Sequence, residues 1–168
     1  MQVSNENAPT SVLVTSSPTA SETSIPPPPL LILIANDNAV SRKLYSMMFG
    51  RKWGCEVHIA ETAQEAVDRV LRSEPHTYDL VYLSEFRPSM TGTDAANAIR
   101  AQGRDEFLVA NGLKHELDRF REVVDDIVYR PVRFGDLKRV KDVAEQRRAE
   151  RLSSAQLQTP TPSLKSLL

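Results

Sequence analysis

The chain has 168 residues, 40% hydrophobic and 26% charged, a balance that suits one soluble globular domain with a real core. A formal net charge of -1 gives no general attraction to nucleic acid or anionic membrane, and the single cysteine, Cys55, excludes an internal disulfide or a cysteine-rich metal site. The longest apolar run, LLILIA at 30–35, is too short to span a bilayer, and no basic-then-apolar leader is present, so a cytosolic or nuclear location is expected.

Residues 1–29 are rich in Ser, Thr, Asn and Pro, hold no glycine or aromatic residue, and carry only Glu6 and Glu22 as charges. Such a stretch cannot bury enough apolar surface to offset the entropy of ordering it, so an unstructured tail is expected there and again over 153–168. Eight of the eleven prolines fall in these tails, which sharpens the limits of a folded unit at 30–152. With Glu6, Glu22 and Lys165 set aside, that unit holds 20 basic and 20 acidic residues and is neutral. IPPPPL at 25–30 favours polyproline II; a linker is the plainer reading and a ligand for an aromatic groove the sharper one. Ser17, Thr159 and Thr161, each before a proline, are the accessible kinase sites.

In chain order, the apolar runs LLILIA (30–35), CEVHIA (55–60), DLVYL (79–83), FLVA (107–110) and DIVY (126–129) predict five strands. A helix-period stripe follows each. The stripes are Val40, Leu44, Met47 and Met48; Ala63, Ala66, Val67, Val70 and Leu71; Ala95, Ala98 and Ile99; Leu113, Leu117, Phe120 and Val124; and Leu137, Val140 and Ala144 in a last helix from Phe134 to Leu152. Continuous apolar strands separated by amphipathic helices imply a parallel sheet covered on both faces, an α/β doubly wound (βα)5 domain. The functional positions of such a sheet lie just beyond the carboxyl ends of its strands.

The first of those exits, ANDNAVSR, contains no glycine and so cannot form a phosphate loop of Walker or dinucleotide type. His58, His76 and His115 show no metal spacing, so an enzyme is not expected and no catalytic residue is assigned. Asn36 and Asp37 make a polar pair at this exit, and helix capping accounts for one such residue. The third strand ends at Ser84, before Arg87-Pro88 and Thr91-Gly92; the fourth ends at Asn111-Gly112 and the fifth at Arg130-Pro131.

Four segments, ILIANDNAVSRKL, IAETAQEAV, YDLVYLSEFRPSMTGTDAANAIR and VDDIVYRPV, occur in order between residues 32 and 132. Together they resemble the receiver domain of two-component response regulators and hybrid histidine kinases, and the resemblance covers residues 31–150. The resemblance implies the flavodoxin-like, CheY-like fold with strand order 2-1-3-4-5 and a cis bond into Pro131. It also implies which site positions differ from the family pattern. The phosphoacceptor aspartate matches Ser84, the metal-holding acidic pair matches Asn36 and Asp37, the hydroxyl residue matches Asn111, the aromatic switch residue matches Ile127, and the lysine matches Arg130.

Only Asp37 is kept unchanged. Serine has no carboxylate to form an acyl phosphate, and Asp37 alone is a weak candidate ligand for Mg2+, so no metal or cofactor is expected. Glu85, next along the strand, should point away from Asp37 by alternation unless the strand has already ended. Arg130 is expected to fork onto Asp37 as a fixed ion pair. The stretch from Asn111 to Arg130 is shorter than is usual in the family, which should trim the fourth helix.

The expected function is that of a pseudo-receiver. Such a chain lacks the phosphoacceptor and binds a protein partner, whether a histidine kinase, a phosphotransfer protein or another signalling protein, independently of phosphorylation. The competing expectation is a response regulator whose phosphotransfer still works through Asp37 and a non-standard acceptor. Neither membrane insertion nor nucleic-acid binding is expected, since the stretch after Leu152 is too short for a DNA-binding output domain. Lys138, Arg139, Lys141, Arg147, Arg148 and Arg151 make the last helix basic on its exposed side; a solvated face is the plainer reading of them and an acidic-partner site the sharper one.

Overall fold

The computed structural model describes residues 25–85 and 90–158. Its five strands are β1 (Leu31–Ala35), β2 (Glu56–Ala60), β3 (Leu80–Ser84), β4 (Leu108–Gly112) and β5 (Asp126–Tyr129). They form one parallel sheet in the order 2-1-3-4-5. Between and after them run α1 (Ala39–Ser46), continued by a π-helical stretch Met47–Lys52, then α2 (Ala63–Arg72), α3 (Gly92–Ala101), α4 (Lys114–Leu117) and α5 (Phe134–Leu157). This is the doubly wound architecture that the hydrophobic pattern predicts.

Alternation along the strands divides the core in two. Ile32 and Ile34 of β1 join Tyr45, Phe49, Leu137 and Val140 on the face covered by α1 and α5. Leu33 and Ala35 join Ala63, Ala66, Val70, Ala95 and Ile99 on the face covered by α2 and α3. Both faces of β1 and β3 are therefore dry, which is why their sequences read as unbroken apolar runs.

Three helices depart from the sequence pattern. In α1 the stripe points outward: Val40 is 78% exposed, Leu44 51% and Met47 43%, and of the four only Met48 packs against the core. Tyr45 and Phe49 take the inner face because their rings meet Tyr82 edge-on, at centroid distances of 5.1 and 6.2 Å. Burying aromatic rings in such pairs outweighs burying the smaller aliphatic side chains one or two positions away. In α4 the helix ends at Leu117; Leu117 and Phe120 are buried, Leu113 is exposed, and turns carry the chain through Val123 to β5.

The third departure moves a boundary. α5 runs past Leu152 through Leu157, so residues 153–157, expected to be unstructured, are helical. Nothing in SSAQL breaks a helix, and Ser154 donates its hydroxyl to the Glu150 carbonyl. The helix ends at Leu157, and the amide of its cap, Gln158, bonds the Ala155 carbonyl at 3.3 Å. Residues 1–24, Arg87-Pro88 and the kinase-type sites Ser17, Thr159 and Thr161 lie outside the described residues. The Arg130-Pro131 bond is cis. No helix of the described residues is long and apolar enough to cross a membrane.

Candidate functional site

The carboxyl ends of the strands deliver their exits to one cavity of about 240 Å3. Asn36 follows β1, Ser84 closes β3, Asn111 lies in β4 and Arg130 follows β5; Asp37, Glu85 and Glu116 also line it. The sequence expectation that these exits converge is met. Ile127 is half-buried against the α2–α3 face of the core and is not part of the lining.

At the floor, three neutral side chains are bonded to one another. Asn36, 5% exposed, donates from Nδ2 to Ser84 Oγ at 2.6 Å, and Ser84 lies 3.5 Å from Asn111 Oδ1. The Tyr45 hydroxyl donates to the same Oδ1 at 3.3 Å, while Asn111 Nδ2 donates to the Val128 carbonyl at 3.1 Å. Asn36 Oδ1 is already taken by the Asn38 amide at 2.8 Å. Burial holds the Tyr45 phenol above its ordinary pKa, so it stays a donor at neutral pH. Buried polar groups in such a chain satisfy each other and fix the shape of the floor.

The charges sit around the rim, and the partner of Arg130 differs from expectation. Arg130 does not reach Asp37; its guanidinium bonds Glu116 Oε2 at 3.3 Å. Glu116 is held in place by accepting the Leu113 amide at 2.8 Å, beside the exit of β5, whereas β3 and β4 stand between that exit and Asp37. Asp37 is exposed, and its carbonyl, not its carboxylate, receives Arg42 at 2.9 Å. Arg42 also bonds the Asn36 carbonyl and Glu61, each at 3.0 Å, which fixes the loop after β1.

Glu85 follows the other branch of its expectation. It lines the same cavity as Asp37, because β3 stops at Ser84 and strand alternation no longer governs the next residue. Close by, Gly92 lets α3 begin against the end of β3: a Cβ there would lie 2.3 Å from the Ser84 carbonyl oxygen and 2.8 Å from Phe120. Tyr45 and Glu116 are the site residues that sequence reasoning missed. Taking the Val40, Leu44 and Met47 stripe for the inner face of α1 hid the first, and nothing local marks the second as the partner of a residue beyond β5.

The basic side of α5 is neutralised. Lys138 pairs with Asp142, Lys141 with Glu145, Arg147 with Asp125, and Arg139 with Asp126, while Arg148 and Arg151 share Asp79. Every one of the six cations singled out in the sequence is thus engaged by an acid of this chain. Among the described residues, no group of three His, Cys, Asp or Glu side chains is placed to hold a metal ion.

Comparison with known proteins agrees with the geometry. Over 96 residues the chain is 31% identical to the two-component response regulator ORR42 of Oryza sativa subsp. japonica, a match covering 57% of this chain and 70% of that protein. Over 118 residues it is 26% identical to hybrid signal transduction histidine kinase L of Dictyostelium discoideum, spanning 7% of that protein's length. Among solved structures, response regulator TrrA of Thermotoga maritima in complex with Mg2+ and BeF aligns with a TM-score of 0.61 at 23% identity, over 68% of this chain and 98% of that one. The receiver domain of Francisella response regulator 1452 aligns with a TM-score of 0.61 at 16% identity, over 70% of this chain and 98% of that one. At these identities the solved structures bear on the fold alone, which is CheY-like. No family model matches the chain.

Proposed function

This chain belongs to the two-component response-regulator family, and we propose that within it the domain works as a pseudo-receiver, a protein-binding module whose state does not depend on phosphorylation. The neutral bonding of Ser84 carries this reading. Transfer of a phosphoryl group from a histidine donor to an acyl phosphate needs a carboxylate nucleophile, and Ser84 offers a hydroxyl that accepts from an amide. A serine nucleophile needs an adjacent general base to activate it, and the groups bonded to Ser84 are the side chains of Asn36 and Asn111.

The floor of the cavity and its Arg130 side do not fit Mg2+ either, and Asp37 is exposed. That ion demands an octahedron of oxygens. Here Asn36 turns an N–H donor inward, Glu116 is engaged by Arg130 and the Leu113 amide, and the Arg130 guanidinium adds a positive charge to the rim.

Protein binding is supported by the outer row of α1. Val40, Leu44 and Met47, spaced i, i+4 and i+7, put three exposed apolar side chains on one helical face. The histidine kinases among the relatives suggest a signalling protein as the partner. A competing reading has one observation in its favour: Glu85 shares the cavity with Asp37 and would be the non-standard acceptor. Incubating the full chain with Mg2+ and radiolabelled acetyl phosphate separates the two. We expect no incorporation; alkali-labile label that disappears in Glu85→Gln would establish the competing reading.

A further inference from the structure

The segment Ile25–Pro29 lies at the opposite end of the sheet from Ser84, where the chain enters β1. We propose that Pro26–Pro29 is a docking strip for a partner domain whose groove is lined with aromatic side chains, the kind that grips polyproline II ligands. This surface is independent of the Ser84 cavity and of the outer row of α1.

The conformation follows from covalent geometry. Each proline fixes its own φ, and Ile25, Pro26, Pro27 and Pro28 each precede a proline, which steers them from helical to extended ψ. The result is a left-handed ribbon with no internal hydrogen bonds and three residues per turn. Residues 25–29 belong to no helix or strand and are all exposed, Ile25 by 88%. Among the described residues, no group donates to the carbonyls of Pro26, Pro27 or Pro28. An aromatic groove satisfies both features at once: rings pack on the pyrrolidines, and an indole N–H or phenol O–H donates to the carbonyls.

The far end of the strip is tied down, which separates it from a plain linker. Leu30 is 7% exposed, its carbonyl accepts the Glu56 amide at 2.8 Å, and Arg148 donates to the Pro29 carbonyl at 3.0 Å. Arg148 is in turn held by buried Asp79 at 3.4 Å. A strip ordered before the partner arrives loses little entropy on binding. Beside it lies an apolar cavity of about 360 Å3, walled by Pro27, Pro28, Pro29, Trp53, Ala149 and Leu152. It gives an aromatic side chain of the partner a place to enter next to the prolines.

The test titrates the unlabelled full chain into isotopically labelled SH3, WW and EVH1 domains, one class at a time. We expect shifts confined to the aromatic groove in at least one class. The double variant Pro27→Ala/Pro28→Ala, with an unchanged circular dichroism spectrum, should weaken that binding by about tenfold or more. No shift in any of the three classes, or equal affinity for the double variant, would overturn the proposal.

Discussion

At the carboxyl ends of the strands, Asn36, Ser84 and Asn111 are buried as neutral groups bonded to one another. At the amino ends, Asp79 and Glu106 are buried as acids, 8% and 1% exposed, and each meets arginine. Asp79 accepts the Leu31 amide at 3.0 Å and pairs with both Arg148 and Arg151. Glu106 pairs with Arg104, whose guanidinium also bonds the carbonyls of Ser73 and Glu74 at 3.0 Å. Buried charge persists in a fold where it is paired and ties elements together, and here it fastens α5 and two loops to the amino-terminal end of the sheet. The opposite end holds the floor of its cavity with two amides and a hydroxyl, which hydrogen-bond to one another with no ion pair among them.

This contrast can be broken or sharpened by substitution. The largest effect should come from Asp79→Ala, which leaves Arg148 and Arg151 without their shared acid. We expect a loss of about 3 kcal/mol in urea unfolding, at the low end for a buried pair because Arg151 is 34% exposed. Gly92→Ala follows, since the new methyl meets the Ser84 carbonyl and its backbone has to shift; about 1–3 kcal/mol is expected from the same measurement.

Tyr45→Phe removes one partner of Asn111 and should cost about 0.5–1.5 kcal/mol at neutral pH. It should also flatten the loss of stability in alkali. Burial raises the phenol pKa in the folded chain, so its contribution is complete below the unfolded tyrosine value of about 10 and fades as pH climbs through the folded value. Arg130→Ala should matter least. Its ion pair with Glu116 is part-exposed at 43%, so a thermal melt should register at most about 1 kcal/mol. A large loss there would mean that Arg130 supports the floor of the cavity after all.

Much of the fold was legible in the sequence because strands buried on both faces leave continuous apolar runs, as in ILIA and LVYL. The orientation of α1 was not, because Val40, Leu44 and Met47 have the right spacing while Tyr45 and Phe49, one position after Leu44 and two after Met47, have the larger rings facing Tyr82. The convergence of Asn36, Asp37, Ser84, Asn111 and Arg130 was legible from strand ends alone. The partner of Arg130 was not, since Glu116 is brought beside it only by the short α4 and its bond to the Leu113 amide. Asp79 reads as the first residue of a strand, and its role as an anchor for α5 depends on arginines far along the chain.

The most direct test of the central claim is a titration of the isotopically labelled full chain with Mg2+ and then beryllofluoride, following backbone amides. The account expects the amides of Asp37, Ser84, Asn111 and Val128 to stay in place. Saturable shifts centred on Asp37 and Ser84 and spreading into β5 would contradict it, and would mean that the cavity still takes a metal and a phosphoryl group.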